Sequence, residues 1–203
     1  MKIICIGRNY ADHAKELKND LPTEPLYFLK PDTALLPAGN PFYIPDFTKD
    51  LHFECELVVK IKKVGKNIPV KFASDYFDEI TLGIDFTARD IQEECKKKGL
   101  PWEKAKGFDN SAPLGFKFIS KNELDFSNVN FFLHKNGTIV QHGQTSDMIF
   151  SIETIISYVS QFITLKTGDL IFTGTPAGVG PTVIGDHFEG YIGSEKLLDL
   201  KIK

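Results

Sequence analysis

Glu54 and Glu56 lie two residues apart in a segment, residues 52–61, whose side chains alternate between two faces. On a β-strand this spacing places both carboxylates on one face, where two oxygen atoms can bind one hard cation. A third carboxylate, Asp85, interrupts the apolar run 82–86 and needs a partner there, for which a metal ion is one choice. The alternatives are a solvated strand face for the glutamates and a buried helix cap for Asp85.

The chemistry of this acidic set favours a hard cation. Carboxylate oxygens suit Mg²⁺ or Mn²⁺ better than Zn²⁺ and leave coordination positions for water or substrate. Three carboxylates and one divalent ion sum to a charge of about −1, so an anionic substrate needs additional cationic groups nearby. The sequence offers Arg8, Lys30, Arg89 and Lys106, although each is also explained as an ordinary solvated charge.

A second candidate pair, His13 and Glu16, lies three residues apart in a segment of helical composition. The two side chains then share a helix face, where the carboxylate can orient the imidazole and raise its basicity. Such a pair can activate water. An exposed helix pair without a catalytic role explains the same spacing.

The glycine-rich segment 173–180 is a candidate ligand-binding loop. It lacks the Gly-Lys-Ser/Thr ending of a P-loop and does not match G-x-G-x-x-G, which excludes both nucleotide motifs. Its glycines can bring backbone N–H groups and the Thr175 hydroxyl close to a carboxylate ligand. A tight turn is the alternative.

Short strands dominate the elements that must position these side chains. Apolar patterns predict strands over residues 3–7, 52–61, 80–86, 170–172 and 197–202. Asn136-Gly137 predicts a hairpin turn between two further strands.

Three helices complete the prediction. The first covers residues 10–18, with Asn9 as its cap. The second covers the segment from Thr87 to Gly99, with Thr87 and Asp90 as a capping box. The third has an apolar stripe that runs from a Ser151 cap to Ile163. Repeated prolines predict a long irregular arm over residues 21–45. Together the elements indicate a β-rich α+β fold.

Length and charge restrict the class of protein. The chain has 203 residues, enough for one domain spanning residues 1–203, and its net charge of −3 provides no basic field for nucleic acid or an anionic membrane. Its three cysteines fit no disulfide framework or zinc site, which favours a reducing cytoplasm. No signal peptide or membrane span is visible, because the longest apolar stretch is interrupted by polar residues.

Six ordered motifs, taken together, resemble the fumarylacetoacetate hydrolase family, and most closely its small acylpyruvase/oxaloacetate decarboxylase branch. The resemblance covers nearly the whole chain. In order, the motifs are G-R-N-Y-A-D-H (7–13), F-L-K-P (28–31), H-F-E-C-E-L (52–57), D-F-T-A-R-D-I-Q (85–92), K-K-K-G-L-P-W (96–102) and T-G-T-P-A-G-V-G (173–180).

This resemblance implies a mixed β-sandwich or roll with a few short helices, without an N-terminal extension domain, and a homodimer. It implies that Glu54, Glu56 and Asp85 bind Mg²⁺ or Mn²⁺, the same three residues that strand geometry indicates. It also implies three catalytic residues: His13 and Glu16, which form a water-activating pair on a lid, and Lys106. The substrate-binding residues that it implies are Arg8, Lys30, Arg89, Gln92 and Thr175.

The implied function is hydrolysis of the C–C bond of acylpyruvates, giving pyruvate and a carboxylic acid, together with decarboxylation of oxaloacetate. The substrate is then a small 2-oxo acid. Two alternatives stay open: an isomerase of unsaturated 2-oxo dicarboxylates, which needs only enolisation and proton relocation, and a non-catalytic domain that binds a small molecule.

Overall fold

A central mixed sheet organises the molecule in the computed structural model, which describes residues 1–16 and 20–203. Its six strands pair antiparallel except for β1 and β12, which are parallel. In spatial order they are β2 (Leu26–Lys30), β1 (Ile3–Gly7), β12 (Leu170–Phe172), β5 (Cys55–Ile61), β6 (Phe77–Ile84) and β9 (Ile119–Ser120).

Strand β5 lies inside this sheet, and both of its faces are covered. Leu57 and Val59 belong to the main hydrophobic cluster, whereas Val58 packs on the other face with Phe172 and Cys5. The alternating pattern of residues 52–61 therefore lies between two apolar layers. A solvated strand face for Glu54 and Glu56 is wrong for this reason.

A four-stranded antiparallel sheet packs against the same core. Its strands, in spatial order, are β11 (Thr138–Gln144), β10 (Asn130–Lys135), β14 (His187–Ile192) and β15 (Glu195–Lys201). The predicted hairpin is confirmed: Asn136 and Gly137 join β10 to β11 with φ of 53° and 82°, as a type I′ turn requires. Phe131 and Leu198 enter the core shared with Leu57.

Two small sheets complete the β-structure of the described residues. One contains β13 (Gly180–Pro181), β4 (Leu51–Phe53) and β7 (Thr87–Ala88), and the other contains β3 (Leu35–Leu36) and β8 (Ala112–Pro113). The helices are α1 (Ala11–Glu16), α2 (Val70–Ala73), α3 (Arg89–Lys98), α4 (Glu103–Lys106) and α5 (Ile152–Ser160). The predicted β-rich α+β class is confirmed.

Helix α5 begins at the predicted Ser151 cap and ends at Ser160, before the predicted Ile163. The Ser151 hydroxyl accepts a hydrogen bond from the Thr154 N–H, and the helix buries Ile152, Ile155 and Val159. None of the helices in the described part of the chain is long and apolar enough to cross a membrane.

The predicted start of α3 is wrong. Thr87 pairs with β4 as part of β7, and Asp90 accepts hydrogen bonds from the Thr48 hydroxyl and the Lys49 N–H instead of completing a capping box. The end of the helix is confirmed, since Gly99 adopts the left-handed conformation with φ of 64°.

Three further predictions need correction. The predicted strand 52–61 is divided at Glu54 into β4 and β5, and the irregular arm contains β2, an edge strand on β1. Asn9 does not cap α1, because its buried amide hydrogen-bonds to Phe150 and Thr173. The predicted helix 10–18 is present as α1, and its predicted end lies outside the described residues.

Candidate active site

The break between β4 and β5 assembles three carboxylates. Glu54 occupies the break, and its carbonyl accepts a hydrogen bond of 2.8 Å from the N–H of Asp85, the residue that follows β6. Glu56 lies one pleat further along β5, opposite Gly83. Ligand oxygens of Glu54, Glu56 and Asp85, here named the buried carboxylate cluster, lie within 4.8 Å of one another.

Two of these carboxylates are neutralised by direct contacts. Lys106 Nζ donates to Glu54 Oε2 and Asp85 Oδ2 at 2.8 Å each and to the Thr87 hydroxyl at 2.6 Å. Arg89 Nη2 donates to Glu54 Oε1 at 2.5 Å. Burial raises the pKa of Glu54, but the adjacent charges of Lys106 and Arg89 outweigh this effect and hold that pKa well below its ordinary value.

Glu56 differs from its two neighbours. It is 1% exposed and forms no ion pair with any described residue; Oε2 accepts a hydrogen bond of 2.7 Å from the Gly174 N–H. Burial and the charges of Asp85 and Glu54 raise the pKa of Glu56 well above its ordinary value. A buried carboxylate in this position needs a further positive charge to remain ionised.

Lys30 lies behind the cluster and not on the cavity wall. Its side chain is fully buried, with Nζ 2.8 Å from Asp85 Oδ1. The same ammonium donates to the carbonyls of Phe86, Lys106 and Ser111 and to the Ser111 hydroxyl. The Lys30 ammonium has three protons and more than three acceptors around it, so no proton is left for a substrate. Lys30 therefore positions Asp85, which revises its predicted role in substrate binding.

Arg89 and Gln92 come from the first turn of α3, three residues apart on one face. Arg89 Nη1 donates to Gln92 Oε1 at 2.6 Å, so the amide nitrogen of Gln92 points away from Arg89. Arg89 is 6% exposed, and its Nε has no hydrogen-bond partner among the described residues. A buried guanidinium N–H without a partner indicates room for an acceptor on a ligand.

His13 and Glu16 lie on α1 as the sequence predicts. His13 Nδ1 and Glu16 Oε2 are 3.2 Å apart, and the Glu16 carboxylate also accepts a hydrogen bond from the Gly178 N–H. His13 is buried whereas Glu16 is exposed, so the histidine of this pair does not lie on the open helix surface. When Nδ1 donates to Glu16, the imidazole presents Nε2 as its acceptor.

Residues 173–180 require glycine at two positions. Gly174 has a φ of 102°, and a Cβ there would lie 2.6 Å from Asn9 Cβ; Gly178 has a φ of 98°, and its Cβ would meet the Val140 carbonyl. Between them, the Thr175 hydroxyl donates to the Cys55 carbonyl at 2.8 Å. Its proton is therefore not available to a ligand, whereas the Thr175 N–H has no partner among the described residues.

These elements enclose one cavity. Of the predicted site residues, Lys30 and Glu16 lie outside its wall, and the remaining ones line it: Arg8, His13, Glu54, Glu56, Asp85, Arg89, Gln92, Lys106 and Thr175. Five more lining residues were missed by sequence reasoning: Ile6, Gly7, Phe28, Lys96 and Trp102. Four of these, Gly7, Phe28, Lys96 and Trp102, belong to the G-R-N-Y-A-D-H, F-L-K-P and K-K-K-G-L-P-W motifs, which was the available signal.

The chemistry of the buried carboxylate cluster fits a divalent cation. Its donors are all carboxylate oxygens, Glu56 forms no ion pair with a residue that the structure describes, and the ion pair of Asp85 Oδ1 with Lys30 lacks hydrogen-bond geometry. Lys30, Arg89 and Lys106 balance the charge of the three carboxylates. These properties suit hard cations such as Mg²⁺ and Mn²⁺.

A second group of potential ligands lies on strands β14 and β15. His187, Glu189 and Asp199, here named the exposed cluster, also have ligand atoms within 4.8 Å of one another. Lys196 Nζ lies 3.0 Å from Glu189 and 2.8 Å from Asp199, so an ammonium already provides the positive charge.

The chain is similar over nearly its whole length to named enzymes. It is 49% identical to "Oxaloacetate tautomerase FAHD1, mitochondrial" of Mus musculus, covering 99% of this chain and 91% of that protein. It is 46% identical to "Oxaloacetate decarboxylase, mitochondrial" of Dictyostelium discoideum, covering 91% and 85%.

A solved structure agrees with this similarity. Fumarylpyruvate hydrolase from Pseudomonas aeruginosa, in complex with Mn²⁺ and pyruvate, is 35% identical with a TM-score of 0.93, covering 100% of this chain and 89% of that one. The family described as fumarylacetoacetate (FAA) hydrolase, C-terminal, matches residues 2–201. The chain therefore belongs to the fumarylacetoacetate hydrolase family.

Proposed function

We propose that this protein is a divalent-metal-dependent enzyme of 2-oxo acids, hydrolysing the C–C bond of acylpyruvates and decarboxylating oxaloacetate. The observation that carries the proposal is the buried carboxylate cluster: its Glu56 has no ion-pair partner in residues 1–16 and 20–203 and lies on a cavity that also contains His13. The mouse and Dictyostelium relatives are named for oxaloacetate reactions, and the Pseudomonas structure is a fumarylpyruvate hydrolase.

Glu54, Glu56 and Asp85 would hold the metal, Mg²⁺ or Mn²⁺. Bound there, a divalent cation supplies Lewis acidity that polarises a 2-oxo group and stabilises negative charge on its oxygen. Lys30, Lys106 and Arg89 pair with Glu54 and Asp85 and hold these two carboxylates in position. The Pseudomonas structure in complex with Mn²⁺ supports this assignment.

The substrate carboxylate is bound by groups that still have free donors. Arg89 Nε and the Thr175 N–H lack partners among the described residues, and the Gln92 amide is oriented by Arg89. These donors lie on the cavity wall together with Arg8. Fixed donors orient the 2-oxo acid without reorganisation during the reaction.

In acylpyruvate hydrolysis, His13 acts as the general base. Its Nε2 accepts a proton from water, Glu16 stabilises the imidazolium, and the water oxygen adds to the distal carbonyl carbon, C4. The C3–C4 bond then breaks, its electron pair forms the enolate of pyruvate, and the acyl fragment leaves as a carboxylic acid. Protonation at C3 gives pyruvate, with His13 as the proton source.

Decarboxylation of oxaloacetate requires fewer of the site residues than acylpyruvate hydrolysis does. The C3–C4 bond of oxaloacetate breaks, CO₂ leaves, and the electron pair forms the same enolate, so no attacking water is needed. Lys106 is the predicted third catalytic residue, and because its three protons are engaged, it reaches the substrate by exchanging one of its contacts.

A second candidate reaction is tautomerisation or isomerisation of 2-oxo dicarboxylates. The names of the mammalian relatives favour it, because they are called oxaloacetate tautomerases at 46–49% identity. His13 can move a proton between C3 and the 2-oxo oxygen without any bond cleavage. The same site residues are then used for enolisation alone.

The test is a side-by-side assay of acetylpyruvate and oxaloacetate. Pyruvate release is measured with Mg²⁺, Mn²⁺ and EDTA, with correction for metal-only decarboxylation, and loss of the enol absorbance of oxaloacetate is followed in parallel. Metal-dependent pyruvate release supports the proposal. Tautomerisation without pyruvate release favours the second candidate, and no activity with no Mg²⁺ binding by calorimetry indicates a non-catalytic domain.

The remaining predictions concern assembly and location. We propose one catalytic domain over residues 1–203 that forms a homodimer, to be tested by light scattering, where a mass equal to one chain contradicts it. Cys5, Cys55 and Cys95 are buried and unpaired, which supports a reducing compartment such as the cytoplasm. Imaging of a tagged chain in its native cell tests this.

A further inference from the structure

The cationic side chains of the cavity divide into two groups. Arg89 and Lys106 contact the buried carboxylate cluster directly, and Lys30 does so from behind it. Their three charges offset the three carboxylates. They therefore contribute little net positive charge for a substrate.

Arg8 and Lys96 form the second group. Both line the cavity, and neither side chain makes an ion pair or hydrogen bond to any residue that the structure describes. Burial and the neighbouring charges of Arg89 and Arg8 lower the pKa of Lys96, and the charge of Glu54 opposes this shift. Like charges kept together without a counterion are typical of an anion-binding site.

The local backbone places both side chains on this wall. Arg8 has a φ of 60°, an unusual conformation for a residue with a Cβ, directly after the end of β1. Lys96 lies in the last turn of α3, and the turn at Gly99 brings Trp102, the N-terminal cap of α4, back beside it. Lys96 Nζ is 5.8 Å from the centre of the Trp102 ring.

Aromatic side chains line the cavity beside Lys96, whose own side chain is exposed at the cavity mouth. Trp102 packs edge-to-face on Phe28, with ring centres 6.0 Å apart, and both rings line the cavity. A charge beside such a wall is less screened than one in bulk water. The aromatic pair thus strengthens the attraction between Lys96 and an anionic group in the cavity.

Charge counting indicates how many negative charges the cavity accepts. With the inner charges balanced, a bound divalent cation adds +2 and Arg8 with Lys96 adds another +2, while Glu16, outside the cavity wall, contributes −1, so the total of +3 exceeds what one carboxylate offsets. A substrate with one carboxylate offsets only the charge that it meets at the metal. A second carboxylate is needed to offset the outer pair.

We propose that Lys96, assisted by Arg8, binds the distal carboxylate of the substrate and selects 2-oxo dicarboxylates over 2-oxo acids with a neutral tail. This inference rests on the proposed function for the identity of the 2-oxo acid. Lys96 is a specificity-determining residue, and the inner residues carry out the bond cleavage.

Two matched ligands test the inference independently of turnover. 2-Oxoglutarate and 2-oxopentanoate have the same five-carbon chain and differ in the distal carboxylate, and neither contains a bond that the proposed reaction cleaves. Calorimetry with Mg²⁺ present compares their affinities for the wild type, Lys96→Met, Lys96→Arg and Lys97→Met. Lys97 is the control, because it is the next residue on α3 and does not line the cavity.

We expect the wild type to prefer 2-oxoglutarate, Lys96→Met to lose about tenfold in affinity for it alone, and Lys96→Arg to restore the preference. Lys97→Met should behave as the wild type. In turnover of oxaloacetate and acetylpyruvate, Lys96→Met should raise KM for oxaloacetate with kcat nearly unchanged.

The outcomes separate the two proposals. Equal affinity of the wild type for both acids, binding of neither, or equal loss of both in Lys96→Met overturns the role of Lys96, whatever the turnover assay gives. Preferential binding that depends on Lys96, in a protein without turnover, supports the subsite and contradicts the proposed reaction.

Discussion

Two groups of side chains in this molecule satisfy the same distance condition for holding a cation. In the buried carboxylate cluster and in the exposed cluster alike, ligand atoms lie within 4.8 Å of one another. The exposed cluster faces water, and Lys196 already bridges two of its members. In the buried cluster Glu56 is 1% exposed and forms no ion pair with a described residue.

The comparison shows that ligand spacing alone does not define a metal site. Near water, a lysine on the same sheet provides enough positive charge, and the pairing contributes little free energy. In the protein interior an uncompensated carboxylate is costly, so binding of a cation gains much more. Burial together with incomplete charge pairing is therefore the better criterion.

The largest expected effect comes from removing the uncompensated carboxylate. Glu56→Gln should abolish Mg²⁺ binding and lower kcat/KM by about 10³-fold, because the Lewis-acid contribution of several kcal/mol is lost. Glu189→Gln, its counterpart in the exposed cluster, should change neither. Calorimetry and steady-state assays measure both, and Mg²⁺ binding that depends on Glu189 instead would reverse the comparison.

The next effect compares two histidines: His13, which lines the cavity with the buried carboxylate cluster, and His187, a member of the exposed cluster. His13→Ala should lower acylpyruvate hydrolysis by about 10²–10⁴-fold, the usual contribution of a general base, while sparing part of the oxaloacetate decarboxylation. His187→Ala should leave both rates unchanged, because its partner Asp199 lies in the exposed cluster. An equal loss of both reactions in His13→Ala would contradict the separate role of the base.

Folding stability should distinguish the lysines of the two regions. Lys30→Met leaves Asp85 and several buried carbonyls without their ammonium partner, so the free energy of unfolding should fall by about 3–5 kcal/mol. Lys196→Met should leave it nearly unchanged, since that ammonium is solvated. Urea unfolding in EDTA compares the variants, and similar losses for both would show that burial has no influence.

The smallest effect concerns acid stability. Hydrogen bonds from Lys196 and His187 lower the pKa of Asp199. Its contribution to stability is therefore present above the unfolded value, about 3.9, and is lost as the pH falls through the lower folded value. Asp199→Asn should cost at most about 0.5 kcal/mol at pH 7 and nothing in strong acid, measured by urea unfolding at several pH values.

Much of the site could be predicted because it depends on local periodicity. The two-residue step from Glu54 to Glu56 places both on one strand face, and the three-residue step from His13 to Glu16 places both on one helix face. Ordered motifs then identified the surrounding residues. Strand type and the Asn136-Gly137 hairpin followed from equally local rules.

The remaining features depend on contacts between distant segments. The burial of Lys30 is fixed by carbonyls of residues 86, 106 and 111, which sequence spacing does not bring together. Asp90 was predicted to cap α3, yet Thr48 and Lys49 bind it from another part of the chain. Lys96 lines the cavity beside Trp102, the residue that precedes α4, and its position on α3 alone could not show this contact.

The loop at residues 173–180 determines how the site can change in evolution. Gly174 fixes Glu56 and Gly178 fixes Glu16, so inserting or deleting one residue between them would change the separation of base and metal ligands. The turn at Gly99 connects α3 to α4 and sets where Trp102 lies relative to Lys96. Changing the length of that turn would move Trp102 without altering the spacing of Gly174 and Gly178.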